Sequence, residues 1–140
     1  MVKPKRNKSY RPKPCVLPLG MRKAIDFELP GYQASIALGQ PHFCESHLYD
    51  LLSCADMTRR IAPLDGAIAT VAQAMIVAIR DVQVRAERVG KLGVSGDEMR
   101  VLRDGLARCM EYLRHVPNTA IDRAGRAALA EFNKLGALRV

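Results

Sequence analysis

The sequence predicts an all-α protein, a helical bundle of about five helices preceded by a disordered basic N-terminal tail. Three observations predict it. Apolar residues make up 49% of the 140, and along four segments they recur at intervals of three and four, the helical period. They are supplied by Ala, Leu, Val, Ile and Met, with no Trp, three Phe and four Tyr. Such residues favour helix and close helix–helix packing. Finally, the periodic segments are bounded by Pro, Gly or capping residues, and no stretch reads as a strand.

Residues 1–14, MVKPKRNKSYRPKP, hold three prolines and six cations with almost nothing apolar. Such chain cannot bury enough surface to fold, and extended, polyproline-like backbone is expected. Residues 15–23 are more apolar, and Val16, Leu17 and Leu19 are expected to pin this stretch onto the body. The expected organisation is a basic, Pro-rich tail and linker over 1–23 and a helical domain over 24–140.

A short helix is expected over 30–39, with Pro30 in its first turn and Gly39 at its end. A second should run from Pro41 to near Ile61, with Phe43, Cys44, Leu48, Leu51, Leu52 and Ala55 along one face. Pro63 should open the longest helix, to Val89, with Leu64, Ile68, Val71, Met75, Ile79, Val82, Ala86 and Val89 as its stripe. It is apolar nearly all round from Ala67 to Ile79, so it is expected at the centre of the bundle. Asp65 in its first turn and Arg80, Arg85 and Arg88 towards its end suit the macrodipole.

Gly90, Gly93 and Gly96 then break the chain, and Ser95 with Glu98 reads as a capping box. The fourth helix should reach His115 or Val116, with Met99, Leu102, Leu106, Cys109 and Leu113 inward. After Pro117, Thr119 should cap a fifth helix with Ile121, Ala124, Ala128, Phe132 and Leu135 inward, closed by Gly136.

Charge is the first pointer to function. The net value is +8, yet residues 1–23 contain eight cations and no acid, which leaves 14 cations and 14 acids in the remainder. A protein that grips a polyanion through its folded surface is more often basic throughout. The four cysteines, Cys15, Cys44, Cys54 and Cys109, are widely spaced with no CxxC. With no secretory signal pattern, reduced thiols and a cytoplasmic location are expected. The longest uncharged apolar run, Gly66–Ile79, is 14 residues, short of the roughly 20 a membrane span needs.

Two constellations carry chemistry. His42, Cys44, His47 and Cys54 are residue types that zinc takes, but Cys44 also fits the core stripe and no paired ligand spacing supports a metal. No metal or cofactor is therefore expected. The stretch from Val89 to Leu102 resembles a helix-turn-helix, with Gly93 in the turn and Met99 six residues on. Its second helix would present Gly96, Asp97 and Glu98 where base and phosphate contacts are made, and carboxylates there repel DNA. A capping box after a glycine-rich turn is the better reading. No Gly-rich phosphate loop, HExxH or GxSxG occurs, so no enzyme is expected.

The run Lys5-Arg6-Asn7-Lys8-Ser9-Tyr10-Arg11-Pro12-Lys13-Pro14-Cys15-Val16 resembles the opening of small uncharacterised proteins of proteobacterial phages and other mobile elements. These begin with a lysine run and Tyr-Arg-Pro-Lys-Pro and continue as an Ala- and Leu-rich helical body. The resemblance implies a setting in which small proteins bind and redirect host nucleic-acid machinery, defence complexes included.

The expected function is non-catalytic: binding of a host protein or nucleoprotein complex as an inhibitor or regulator. Direct DNA or RNA binding through the tail is the alternative, with Tyr10 able to stack on a base. A third is a homo-oligomeric module, such as a homodimer, in which a second copy covers the apolar helix. No membrane contact is expected. The residues expected to meet the partner or nucleic acid are Lys3, Lys5, Arg6, Lys8, Tyr10, Arg11, Lys13, Arg22 and Lys23.

Overall fold

The structure, a computed structural model, describes residues 28–138. Among them are five helices and no strand, the all-α bundle that the apolar period predicts: α1 Leu29–Ala37, α2 Glu45–Ile61, α3 Ala67–Val89, α4 Gly96–Arg114 and α5 Asn118–Leu138. The tail and linker, 1–23, lie outside the described residues.

The helix ends follow local chemistry. Pro30 sits in the first turn of α1, and Gly39 follows its end at φ 77, a left-handed conformation that a Cβ disfavours. α2 begins at Glu45 rather than Pro41, because residues 41–44 turn and Cys44 takes the N-cap. α3 begins at Ala67 rather than Pro63: the Gly66 N–H donates to the Pro63 carbonyl at 2.9 Å, closing a turn that Pro63 starts. Asp65 therefore precedes the helix instead of lying in its first turn. Gly90 ends α3 at φ 79.

Ser95 caps α4 as expected. Its Oγ accepts from the Glu98 N–H at 3.2 Å, and Glu98 Oε1 accepts from the Ser95 N–H at 2.8 Å. Pro117, not Thr119, stands before α5, its carbonyl accepting from the N–H of Ala120 and Ile121. Gly136 lies within α5 rather than closing it.

α3 and α4 form an antiparallel hairpin. Arg85 meets Glu98 near the turn, and Met75 meets Gly105 and Cys109 farther along. α1 lies antiparallel along α4, with Gly31 against Leu106 and Met110 and Gly39 against Met99. Arg103 completes that contact by donating to the Ser35 and Leu38 carbonyls at the end of α1, the end that favours a cation.

The core contains Leu48, Leu51, Cys54 and Ala55 of α2, Ala72, Met75, Ile79 and Val82 of α3, and Leu102, Leu106, Cys109 and Leu113 of α4. Among the described residues Thr58 is the buried polar one, and its hydroxyl donates to the Cys54 carbonyl at 2.8 Å.

The centre of the bundle is α2, which packs against all four other helices, and not α3, which packs against α2 and α4. α3 turns Val77 and Val84 outward, Leu64 before it is 91% exposed, and Val89 at its end is exposed. An apolar composition on all sides therefore does not mark the most enclosed helix here. By length and mean hydropathy alone α3 meets the requirement for a membrane span, although its uncharged run falls short. Its buried stripe is met by α2 and α4, as a core helix requires.

Candidate functional site

Cys44, His47 and the turn before them form the most chemically loaded corner among the described residues. Cys44 is exposed rather than part of the core stripe, and Cys54, one position off that stripe, is buried in its place. The reason is the N-cap: extended backbone at Cys44, φ −137 and ψ 175, swings its side chain out of the helical register. The His47 Nδ1 accepts the Cys44 N–H at 3.1 Å and lies 3.4 Å from its sulfur. Its ring stacks on Phe43 at 5.7 Å and meets His42 edge-on at 5.9 Å.

Hydrogen bonds from Ser46 and His47 hold the Cys44 thiol below the usual range. His47 is thus spent on closing the first turn of α2, in the manner of a capping box. Cys54 is buried, and no group of three or more His, Cys, Asp or Glu among the described residues is placed to hold a metal ion.

The helix-turn-helix reading does not survive the geometry. That motif needs its two helices at roughly 90–120°, whereas α3 and α4 run side by side for most of their lengths. Glu98, the residue that would face DNA, is committed to Arg85 and to the Ser95 N–H. Arg85 also donates to the Gly93 carbonyl at 2.9 Å, fixing the turn.

The larger unpartnered feature is the outer face of α5. This helix packs mainly against α2, through the buried Ala124, the half-buried Ile121 and Ala128, and an ion pair between Arg60 and Glu131. Beyond that contact Leu129, Phe132 and Leu135 point to solvent, Phe132 at 72% exposure. Phe132 and Leu135 were expected inward from their spacing. They are exposed because α5 outruns the surface that α2 offers. Leu135, eleven residues on from Ala124, keeps the same face and Leu129 lies well round the helix from it, so spacing alone does not tell covered positions from uncovered ones.

Two apolar grooves flank the hairpin. One, of about 740 Å³, runs along the outer side of α3 past Thr70, Gln73, Val77 and Asp81 to Val101 of α4. The other, of about 770 Å³, lies between α3, α4 and α5, lined by Ile61, Ile68, Ala107, Tyr112, Val116 and Ala120 among others.

Lys3, Lys5, Arg6, Lys8, Tyr10, Arg11, Lys13, Arg22 and Lys23, the expected partner-binding residues, lie outside the described residues. The fold defines an all-α bundle with an appended last helix. Comparison with protein families, curated proteins and solved structures finds no match to this chain.

Proposed function

We propose that this is a non-catalytic binding protein whose target is a protein or nucleoprotein assembly with an anionic surface, and which acts there as an inhibitor or regulator. The supporting observation is the outward face of α5: Leu129, Phe132 and Leu135 are exposed together on a helix held to the body chiefly by α2. A stripe of large apolar side chains complements an apolar cleft in a protein and offers nothing to phosphates. The charge distribution supplies the complement. All the net charge precedes residue 24, so the tail supplies attraction and the neutral body supplies specificity. The resemblance to mobile-element proteins fits a host target of this kind.

Capture of cross-linked targets from a bacterial lysate, with purified candidates then titrated, tests this. Phe132→Asp should abolish capture while leaving the fold intact. Replacing Lys5, Arg6, Lys8, Arg11 and Lys13 by Gln should slow association more than it speeds dissociation. Normal binding by both variants at every salt concentration would remove the proposal.

Direct nucleic-acid binding is the second reading, and the charge imbalance of residues 1–23 favours it. It predicts a gel shift whose log–log salt slope is about −0.9 per phosphate neutralised on duplex DNA, indifferent to Phe132→Asp. A third reading, association of two copies through α5, predicts a dimer by light scattering that Phe132→Asp converts to monomer.

A further inference from the structure

Two surfaces of this chain match each other in shape, polarity and charge. On α3, Thr70, Ala74 and Ala78 form one row at a spacing of four, and Gln73, Val77 and Asp81 form the next. Both rows line the outer groove, with Val101 of α4 beside them. Rows of this spacing leave a channel that the three-spaced row of a second helix enters at a crossing angle of about 20°. Ala74 and Ala78 are small enough for close approach, and Val77 and Val101 are 45% and 39% exposed. α5 carries a row of the matching kind, Arg126, Leu129 and Phe132, all three exposed. The groove is acidic at one end, where Asp81 stands with Asp97 and Glu98. Asp97 is paired with Arg100 and Glu98 with Arg85. Asp81 feels Arg85 at longer range but, like Arg126, makes no ion pair among the described residues.

We infer that the row Arg126, Leu129 and Phe132 of one copy docks in the α3–α4 groove of a second copy, with Arg126 against Asp81 and Phe132 over Ala74 and Val77. The lengths agree. At 1.5 Å per residue, Arg126 to Phe132 rises about 9 Å and Asp81 to Ala74 about 10 Å, so one antiparallel register makes the charged and the apolar contact together. Within one copy, Ala124 and the Arg60–Glu131 pair hold α5 against α2, and Leu129 and Phe132 stay exposed. The row therefore meets the groove between copies. Each copy has one row and one groove, so two copies that exchange both contacts form a closed pair. The inference needs only this chain and does not rest on a foreign target. Where α5 also receives such a target, self-docking covers the same face until the target displaces it.

Sedimentation of the purified full chain over a concentration series tests this. At about 0.15 M salt, repulsion between the positively charged copies is screened beyond roughly 8 Å. The mass should exceed that of one chain and fall on dilution. Val77→Lys, at a partly exposed groove position, should hold the chain at monomer mass with helicity unchanged by circular dichroism. Val101→Lys does the same from the α4 side should the first variant lose helicity. Asp81→Arg and Arg126→Asp should each weaken association about tenfold, more than loss of an exposed pair alone, because each leaves like charges facing. An equimolar mixture of those two variants should regain the parent's mass, since the reversed charges complement one another across copies. Association that survives the groove lysines would overturn the inference by placing α5 on some other surface, a second α5 included. So would monomer mass at every concentration, or a mixture as weak as its two components. None of these results bears on capture of a foreign target, which is measured separately.

Discussion

Met75 of α3 lies directly against Gly105 of α4: a Cβ at Gly105 would stand 2.5 Å from Met75 Cγ and 2.7 Å from its sulfur. Met75 is fully buried, and its sulfur also faces the Cys109 thiol at 3.7 Å. The side chain has no open direction in which to yield. Gly105→Ala gains up to about 1 kcal/mol of helix propensity but overpacks the hairpin, which costs about 1–3 kcal/mol. A net loss of stability is expected in urea denaturation. Met75→Ala alone should cost about 2–5 kcal/mol, and the double variant should cost less than the sum because the new methyl fills part of the cavity. Additive losses would show that the two residues do not share the space. Met75→Asp should unfold the domain outright, since an unpaired buried charge costs several kcal/mol against a total of about 5–15.

Acid stability should depend on Glu98. Burial pushes its carboxyl upward, but the Arg85 guanidinium and the Ser95 N–H and hydroxyl outweigh this and hold it below the ordinary range. A depressed carboxylate contributes stability that is present above its unfolded value near 4.3 and is lost as pH falls through the folded value. Glu98→Gln should therefore lower stability at pH 7 by about 1–2 kcal/mol and flatten the decline below pH 5. An unchanged acid limb in the variant would mean that the pair contributes nothing.

Alkaline stability should depend on Cys54. Burial, reinforced by the neighbouring Cys109, pushes the Cys54 thiol up to about 12, and burial raises Cys109 as well. The unfolded thiol ionises near 8.5, so the unfolded state loses protons first and stability falls as pH rises above that value. The slope is about 1.4 kcal/mol per pH unit for one thiol. Cys54→Ala should shallow that slope relative to the parent. In a Cys15→Ser background, a thiol reagent at neutral pH should label Cys44 at once, and Cys54 and Cys109 only on unfolding. Equal rates at all three would contradict the core.

The last helix should be the least protected of the five. Hydrogen exchange measures local opening, and an element with few buried contacts opens at low free energy. Amides of α5 beyond Ala128 should exchange well before those of α3 and α4. Phe132→Asp, at a mostly exposed position, should shift stability by no more than about 0.5 kcal/mol. A large destabilisation would show that the apolar face is already covered by the protein itself.

Most of the fold was legible because it rests on local rules. Ser95 and Glu98 are adjacent in the logic of a cap, Gly90 and Gly39 mark left-handed ends, and Leu102, Leu106, Cys109 and Leu113 report one face directly. What was not legible depends on which neighbour a face meets. The α5 sequence carries an apolar arc but does not say that α2 covers only part of it. α3 is the most apolar helix, yet α2 is the hub, because position in the packing is a property of the whole set of helices. The expected start of α2 at Pro41 and the inward placement of Cys44 failed together, since one capping residue displaced both. The expected contact residues of the tail fall outside the described residues, so the candidate surface rests on the body.

The ion pair between Glu28 and Arg114 joins the entrance of the described chain to the point where α4 hands over to α5. The start of the described chain and the start of α5 therefore sit at one pole of the bundle. Surface and core are separate at that pole: the exposed ion pair can open there without disturbing the buried contact of Met75 with Gly105 in the α3–α4 hairpin.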